Sequence, residues 1–240
     1  MSATSRGSTI ERTPRGSGGN AMPSRMTSGS PAAEAALRRS TELNPHNSKA
    51  HHELGMLLMR VNRCDEAVPE AQQAVLENPH EAYWQSGLAE VHLYCRHYDQ
   101  AIVEFEKTLP LQRDSASTYF NLGDAYFYQG RYERALDMYR RSREVPGWVD
   151  AARGNPAEAQ RQLGVLKGLL ARDERRTFLM WPLARMYTSL GDHDRAIAWL
   201  ERAHAAHEGM IVYLGVTPHF DPLRGDPRFQ ALVKKVGLGG

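Results

Sequence analysis

Hydrophobic positions recur every three to four residues within segments of this chain, and the same pattern returns after 34 residues. Leucines mark the longer period at Leu54, Leu88 and Leu122. A small residue follows each leucine and an alanine lies 13 residues beyond it: Gly55, Ala89 and Gly123; Ala67, Ala101 and Ala135. The short period predicts amphipathic helices, and the long period indicates one helical unit repeated in tandem. Such units bury their apolar faces only by stacking, so the pattern predicts an all-α solenoid.

Turn and breaker residues divide the repeats into helix pairs. The predicted pairs are 48–61 with 65–77, 82–95 with 99–109, 116–128 with 132–143, and 177–190 with 194–206. Asn78-Pro79, Pro110 and Pro146 close the first three pairs, because proline cannot continue a helix and disfavours helix in the residue before it. The short connections require the two helices of a pair to lie antiparallel.

The register breaks after the third pair. We call the alanines that lie 13 residues after each repeating leucine the register alanines. Ala159 resembles a register alanine of a second helix, yet it follows Ala135 by only 24 residues, whereas the repeat period is 34. We therefore predict a stunted first helix at 148–153 and a full second helix at 156–171. A single helix at 32–43, stopped by Asn44-Pro45, precedes the array.

Residues 1–31 differ from the rest in composition. They are rich in Ser, Gly, Thr and Arg and hold one acid, Glu11. A stretch with so few large apolar side chains cannot offset its ordering entropy, and without an apolar core it is not a secretory signal. We interpret it as a disordered leader or linker, although its Arg- and Ser-rich composition also resembles an organelle transit peptide.

The predicted organisation is thus a leader followed by one solenoid domain, 32–240. Its parts are a half repeat at 32–45, repeats at 48–81, 82–115 and 116–147, an irregular repeat at 148–176, a repeat at 177–210 and a carboxyl-terminal cap at 211–240.

Composition limits the functional classes. A net charge of +2 without a block of like charges argues against a nucleic-acid surface, and no apolar run is long enough to cross a bilayer. Cys64 and Cys95 are too few for a disulfide framework and lack metal-type spacing, which predicts free thiols and a reducing, cytoplasmic setting.

The sequence contains no recognisable catalytic or metal-binding set. His51-His52-Glu53 is not a zinc-protease motif, since the second histidine would fall at Met56. His204 and His207 are interpreted as favourable charges at a helix carboxyl terminus. We predict no enzyme activity, no metal and no cofactor; an enzyme within 148–176 is the weakest alternative.

These features resemble the tetratricopeptide repeat. The resemblance rests on Leu-Gly at 54–55 and 122–123, Tyr126 and Tyr187, the register alanines, and Asn-Pro at 44–45 and 78–79. It implies a right-handed superhelix whose concave groove is lined by the first helix of each pair. The sequence departs from the family at His51 and Gln85, where a large aromatic residue is typical.

The tail, 212–233, resembles the segment that closes bacterial arrays of this family attached to kinases, cyclases or transcription regulators. We predict that it caps the last helix pair, with Asp221-Pro222 and Asp226-Pro227 each beginning a helix. The side chains expected to cover the array are Phe220, Leu223, Phe229, Leu232 and Val236.

The resemblance also implies a peptide-binding groove. Carried onto this chain, its positions are Lys49, His52, Met56, Met59, Arg60, Tyr83, Ser86, Glu90, Leu93, Tyr94, Ser117, Phe120, Asp124, Phe127 and Tyr128. Aromatic and methionine side chains suit apolar anchors, and the two acids suit basic residues of the guest. The expected function is a protein-interaction scaffold; the regulatory half of a signalling protein is the alternative. The ring of basic residues and asparagines that clamps chaperone carboxyl termini is absent, so that function is disfavoured.

Overall fold

The computed structural model describes residues 30–238, and all of the regular structure in this part is helical. The helices are α1 (Pro31–Leu43), α2 (Ser48–Arg60), α3 (Cys64–Glu77), α4 (Ala82–Tyr94), α5 (Tyr98–Leu111), α6 (Ala116–Tyr128), α7 (Tyr132–Ser142), α8 (Trp148–Ala152), α9 (Pro156–Arg172), α10 (Met180–Ser189), α11 (His193–Ala205) and α12 (Pro227–Val236). Short 3₁₀ helices cover Thr177–Leu179, Gly209–Tyr213 and Pro218–Leu223. The predicted leader lies outside the described residues, apart from its last two positions.

The fold is the predicted right-handed solenoid of antiparallel helix pairs. We call the pairs α2/α3, α4/α5, α6/α7, α8/α9 and α10/α11 repeats 1 to 5. Adjacent helices within a repeat pack together, and the first helices of repeats 1, 2 and 3 also contact one another. This stacking places the first helices on the concave side of the superhelix.

The ends of the helices follow from local sequence. Side chains that accept a hydrogen bond from a backbone N–H begin seven of the described α-helices: Ser30, Asn47, Glu81, Ser115, Asn155, Asp192 and Asp226. The turns inside the repeats contain one residue each in the left-handed region: Asn62, Arg96, Gly130, Gly154 and Gly191. The recurrence of this conformation shows that one turn geometry is reused in every repeat.

The repeating leucines and alanines form the core, as the period predicts. Leu54, Leu88 and Leu122 are at most 5% exposed, and the register alanines of these repeats are fully buried. Gly55 shows why a small residue follows the leucine, because a Cβ there would lie 3.1 Å from the carbonyl oxygen of Ala67. The 34-residue period of leucine, small residue and alanine therefore reflects the close packing of the two helices in each repeat.

Repeat 4 is irregular. Its first helix, α8, has only five residues, whereas the second helix, α9, has 17. Ala159 is fully buried, like the other register alanines. Trp148 precedes Ala159 by 11 residues, as Asp124 precedes Ala135, so α8 corresponds to the second half of α6. Repeat 4 lacks the first half of its first helix.

One predicted helix end differs from the structure. The helix expected to stop before Pro110 continues to Leu111, with Pro110 inside its last turn. A proline there removes only one backbone hydrogen bond near a terminus, where carbonyl groups already lack partners within the helix.

The cysteine prediction is wrong, since Cys64 and Cys95 form a disulfide with their Cα atoms 5.7 Å apart. Cys64 begins α3 and Cys95 directly follows α4. Stacking of repeat 2 on repeat 1 brings these two ends together, although 31 positions separate them in sequence. The prediction of a cytoplasmic setting rested on free thiols and loses that support.

The tail covers repeat 5, and four of its five predicted capping side chains, Phe220, Leu223, Phe229 and Leu232, are buried. Asp226 begins α12 as predicted, accepting from the backbone N–H of Arg228 at 2.8 Å. The prediction that Asp221 begins an α-helix is wrong. Its carboxylate instead accepts hydrogen bonds from the guanidinium groups of Arg96 and Arg224 at 2.6–2.7 Å.

Candidate functional site

The tail also crosses the concave face, which the sequence did not predict. Tyr213, at the end of the 3₁₀ helix Gly209–Tyr213, lies with its ring centroid 4.9 Å from that of Tyr94 in α4. Arg60 of α2 lies over the Tyr213 ring at 5.2 Å and donates to its hydroxyl at 3.4 Å. The tail therefore reaches from repeat 5 back to repeat 1.

A second tail residue, His219, closes the middle of the concave face. Its ring stacks on Phe127 with centroids 5.4 Å apart and an interplanar angle of 10°. Its Nε2 lies 3.0 Å from the carbonyl oxygen of Arg185. Burial and the nearby Arg185 guanidinium lower the pKa of His219 well below its usual value, so the ring is neutral at physiological pH.

The tail changes the status of three predicted groove rings. Tyr94 contacts Tyr213, while Phe127 and Tyr128 contact His219. All three rings are half-buried. They bind a segment of this same chain, whereas the sequence prediction left them available to a guest.

Asp124 also differs from its predicted place on an open groove. It is buried, and its Oδ1 accepts from Arg185 at 2.8 Å and from the Tyr139 hydroxyl at 2.5 Å. The Arg185 guanidinium in turn lies 3.9 Å from the centroid of the Trp148 ring. This carboxylate connects repeats 3 and 5 and is already satisfied, so we exclude it from the candidate surface.

Three more predicted positions lie elsewhere. Met59 and Leu93 are at most 1% exposed and belong to the core. Lys49 is exposed but outside the pockets of the concave face.

The structure brings the remaining amino-terminal positions together in one open pocket of about 640 Å³, here called the amino-terminal pocket. Seven predicted residues line it: His52, Met56, Arg60, Tyr83, Ser86, Glu90 and Ser117. The lining residues that the sequence analysis did not select include Glu53, Glu81 and Tyr213. The lining positions in α2 and α4 can be predicted from the repeat pattern. The position of Tyr213 cannot, because it depends on the path that the tail takes across the concave face.

Aromatic rings cluster at this pocket. The ring centroids of His52, Tyr83 and Trp84 lie 4.7–5.2 Å from one another. Tyr83 remains 57% exposed, whereas His52 is buried. Burial lowers the pKa of His52, which favours its neutral form. Tyr83 is therefore a large ring, held by neighbours and still accessible from solvent.

The amino-terminal pocket is acidic. Glu53, Glu81 and Glu90 line it with a single cation, Arg60, and none of the four forms an ion pair within 4.0 Å among residues 30–238. Burial raises the pKa of Glu90 to about 6, against the opposing effects of Arg60 and a 3.4 Å hydrogen bond from Asn121. The arrangement suits a ligand that carries positive charge.

Comparisons with known families agree with the repeat pattern. Three family models, each described as tetratricopeptide repeat, match residues 28–86, 80–146 and 183–209. Together they cover more than half of the chain. The chain belongs to the tetratricopeptide repeat family.

Solved tetratricopeptide repeat proteins resemble this chain in fold. One from Parabacteroides merdae is 18% identical and covers 87% of this chain and 86% of its own, with a TM-score of 0.52. A thermophilic tetratricopeptide repeat protein of Thermus thermophilus is 16% identical, with 85% and 90% covered and a TM-score of 0.45. YrrB, described as having an unusual peptide-binding site, is 18% identical, with 76% and 97% covered and a TM-score of 0.43. No curated protein matches the sequence.

The repeat positions used by the carboxylate clamp hold other groups in this tetratricopeptide repeat protein. His52, Met56 and Gly87 lie together, and a Cβ added to Gly87 would fall 2.3 Å from the His52 ring. A longer basic side chain at this position would collide with the aromatic cluster. Between residues 30 and 238, no group of three or more His, Cys, Asp or Glu side chains is placed to bind a metal, and none of the helices is long and apolar enough to traverse a bilayer.

Proposed function

We propose that this tetratricopeptide repeat protein is a non-catalytic interaction scaffold that holds a basic peptide segment of a partner protein in its amino-terminal pocket. The observation that carries the proposal is the coincidence of an exposed ring, packed against its aromatic neighbours, with three carboxylates that form no ion pair among residues 30–238. Tyr83 offers an apolar and cation-binding face, while Glu53, Glu81 and Glu90 offer partners for lysine or arginine.

The pocket also has a donor for the guest's main chain. The Nε of Arg60 is buried and has no acceptor among the described residues. Its guanidinium is held by the Tyr213 ring and hydroxyl. A buried donor without a partner destabilises a protein. A carbonyl oxygen of an extended peptide would supply the missing acceptor.

Binding should depend on Tyr83. We expect Tyr83→Ala to weaken the binding of fluorescein-labelled peptides that combine leucine or tyrosine with lysine by roughly tenfold, since an aromatic anchor is worth about 1–2 kcal/mol. Fluorescence anisotropy measures the affinity. Leu76→Ala is the matched control, because Leu76 is 72% exposed and lies outside the pocket. Unchanged binding by Tyr83→Ala would remove Tyr83 from the site.

The ionised Glu90 carboxylate should lower the stability of the protein and strengthen peptide binding. Its pKa lies about 1.5 units above the ordinary value, so its ionisation costs up to ~2 kcal/mol of folding free energy. The cost is absent below pH 4.5, grows as pH rises to about 6 and is complete above it. We therefore expect Glu90→Gln to stabilise the protein at pH 7.5 and not at pH 4. Chemical denaturation at the two pH values measures the difference.

The same carboxylate makes binding pH-dependent. The affinity of wild type for lysine-containing peptides should fall as pH decreases through about 6, where Glu90 is protonated. Glu90→Gln should bind more weakly at pH 7.5 and lose this step. A variant that is neither more stable nor weaker in binding would contradict the role assigned to Glu90.

A further inference from the structure

A second cleft opens where repeat 4 is incomplete. Helix α8 has five residues, eight fewer than α6, and it corresponds to the second half of that helix. The missing half would be about 12 Å long, or two turns. In a regular array this half packs between the first helices of the neighbouring repeats. Here the first half of α6 and the start of α10 line the same open space.

The walls of this cleft are apolar. Two adjoining pockets of about 410 and 420 Å³ share Phe120, Glu144, Trp148, Phe178 and Pro182. We call the space formed by these two pockets the repeat-4 cleft. Side chains that a soluble protein normally covers line its outer part: Val145 (41% exposed), Val165 (59%) and Phe178 (61%). A contiguous apolar surface of this kind marks an interaction site more often than scattered exposed residues do.

Polar groups at the cleft specify the occupant further. Glu144 and Glu208 line its inner part, and neither forms an ion pair within 4.0 Å with a described cation. Glu144 is exposed, whereas Glu208 is buried and its Oε2 accepts from the backbone N–H of Met210 at 3.0 Å. The only lining cation, Arg185, is already paired with Asp124 at 2.8 Å. Trp148 is 3% exposed, and its indole Nε1 has no acceptor among residues 30–238. The cleft thus offers one exposed acid, a second acid that already accepts one hydrogen bond, and one buried donor to an incoming chain.

From this geometry we infer that the repeat-4 cleft takes a short amphipathic helix of a partner protein, which completes repeat 4 in trans. The guest helix spans about two turns, places bulky apolar side chains against Phe178, Val165 and Phe120, and directs lysine or arginine toward Glu144 and Glu208. Its length matches the missing half of the first helix, and its charge complements the acids. This site is separate from the amino-terminal pocket.

A designed peptide tests the inference on the full chain. The probe is a fluorescein-labelled peptide of about 20 residues, above the length of roughly 12–15 residues at which isolated helices are marginal in water, with leucine and phenylalanine on one face and lysine on the other. We expect Phe178→Ala to weaken its binding at least about tenfold, equivalent to ~1.4 kcal/mol, and Val165→Ser to weaken it severalfold. Both side chains are largely exposed, so both variants should fold.

Controls separate this site from the amino-terminal pocket and from self-association. Because the probe carries the lysine and apolar groups that the amino-terminal pocket also binds, the measurements are repeated in Tyr83→Ala, where the losses caused by Phe178→Ala and Val165→Ser should persist. Leu76→Ala should bind the probe like wild type, and a probe with glutamate in place of lysine should bind at least about tenfold more weakly. The inference is overturned if Phe178→Ala and Val165→Ser leave binding unchanged, if only Tyr83→Ala reduces it, or if the charge-reversed probe binds equally. Dimerisation of the full chain that Phe178→Ala abolishes would also overturn it, since a second copy would then be the occupant.

Discussion

Arg185→Met is expected to lower the free energy of unfolding by ~3–5 kcal/mol and the melting temperature by roughly 10 °C. The guanidinium is buried between the Asp124 carboxylate and the Trp148 ring. Its removal leaves Asp124 buried without its cation and frees one face of the indole. Because these contacts join repeats 3, 4 and 5, the loss should appear as a shift of the whole denaturation curve.

A charge-neutral second substitution distinguishes this mechanism from a simple loss of packing. Asp124→Asn keeps an acceptor for the Tyr139 hydroxyl and removes the unpaired charge, so the double variant should recover part of the lost stability. Arg195→Met is the matched control, since its ion pair with Asp192 lies at the surface and should contribute less than about 1 kcal/mol. Equal losses in the control and in Arg185→Met would contradict the assigned role.

The repeat was predictable because it depends on local sequence. Leucine and alanine periodicity, turn glycines and Asn-Pro pairs each act within a few residues, so they place most helices within two or three positions of the structure. Even the deficit in repeat 4 was visible, since Ala159 lies only 24 residues after Ala135. The position of one alanine predicted a shortened helix before its neighbours were known.

The path of the tail was not predictable in the same way. Phe220 and Leu223 correctly indicated a cap, but periodicity carries no information about which distant surface an irregular segment crosses. The contacts of Tyr213 with Arg60 and Tyr94 join residues more than 100 positions apart. The predicted groove positions around Tyr83 line one pocket, and a peptide-binding role there stays a prediction. The tail, which the sequence analysis did not place, covers Phe127 through His219.

The disulfide was missed for a related reason. A count of two cysteines argues for free thiols when only composition is considered. The superhelix brings the start of α3 to the end of α4, a proximity that depends on how the two repeats stack. Arg96, directly after Cys95, also pairs with Asp221 of the tail at 2.6 Å. Two cross-links of different chemistry thus hold the same end of α4.

Cys64→Ser together with Cys95→Ser is expected to destabilise the protein by about 3–4 kcal/mol, because the bond closes a loop across 31 positions and restricts the unfolded chain. Denaturant unfolding of oxidised wild type, reduced wild type and the double variant measures the effect. Reduced wild type and the double variant should unfold at similar denaturant concentrations, and reductant should leave the double variant unchanged. The helical circular dichroism should persist in all three, since repeat packing remains. Two titratable thiols in the oxidised protein, or stability that reductant does not alter, would show that the bond contributes nothing in solution.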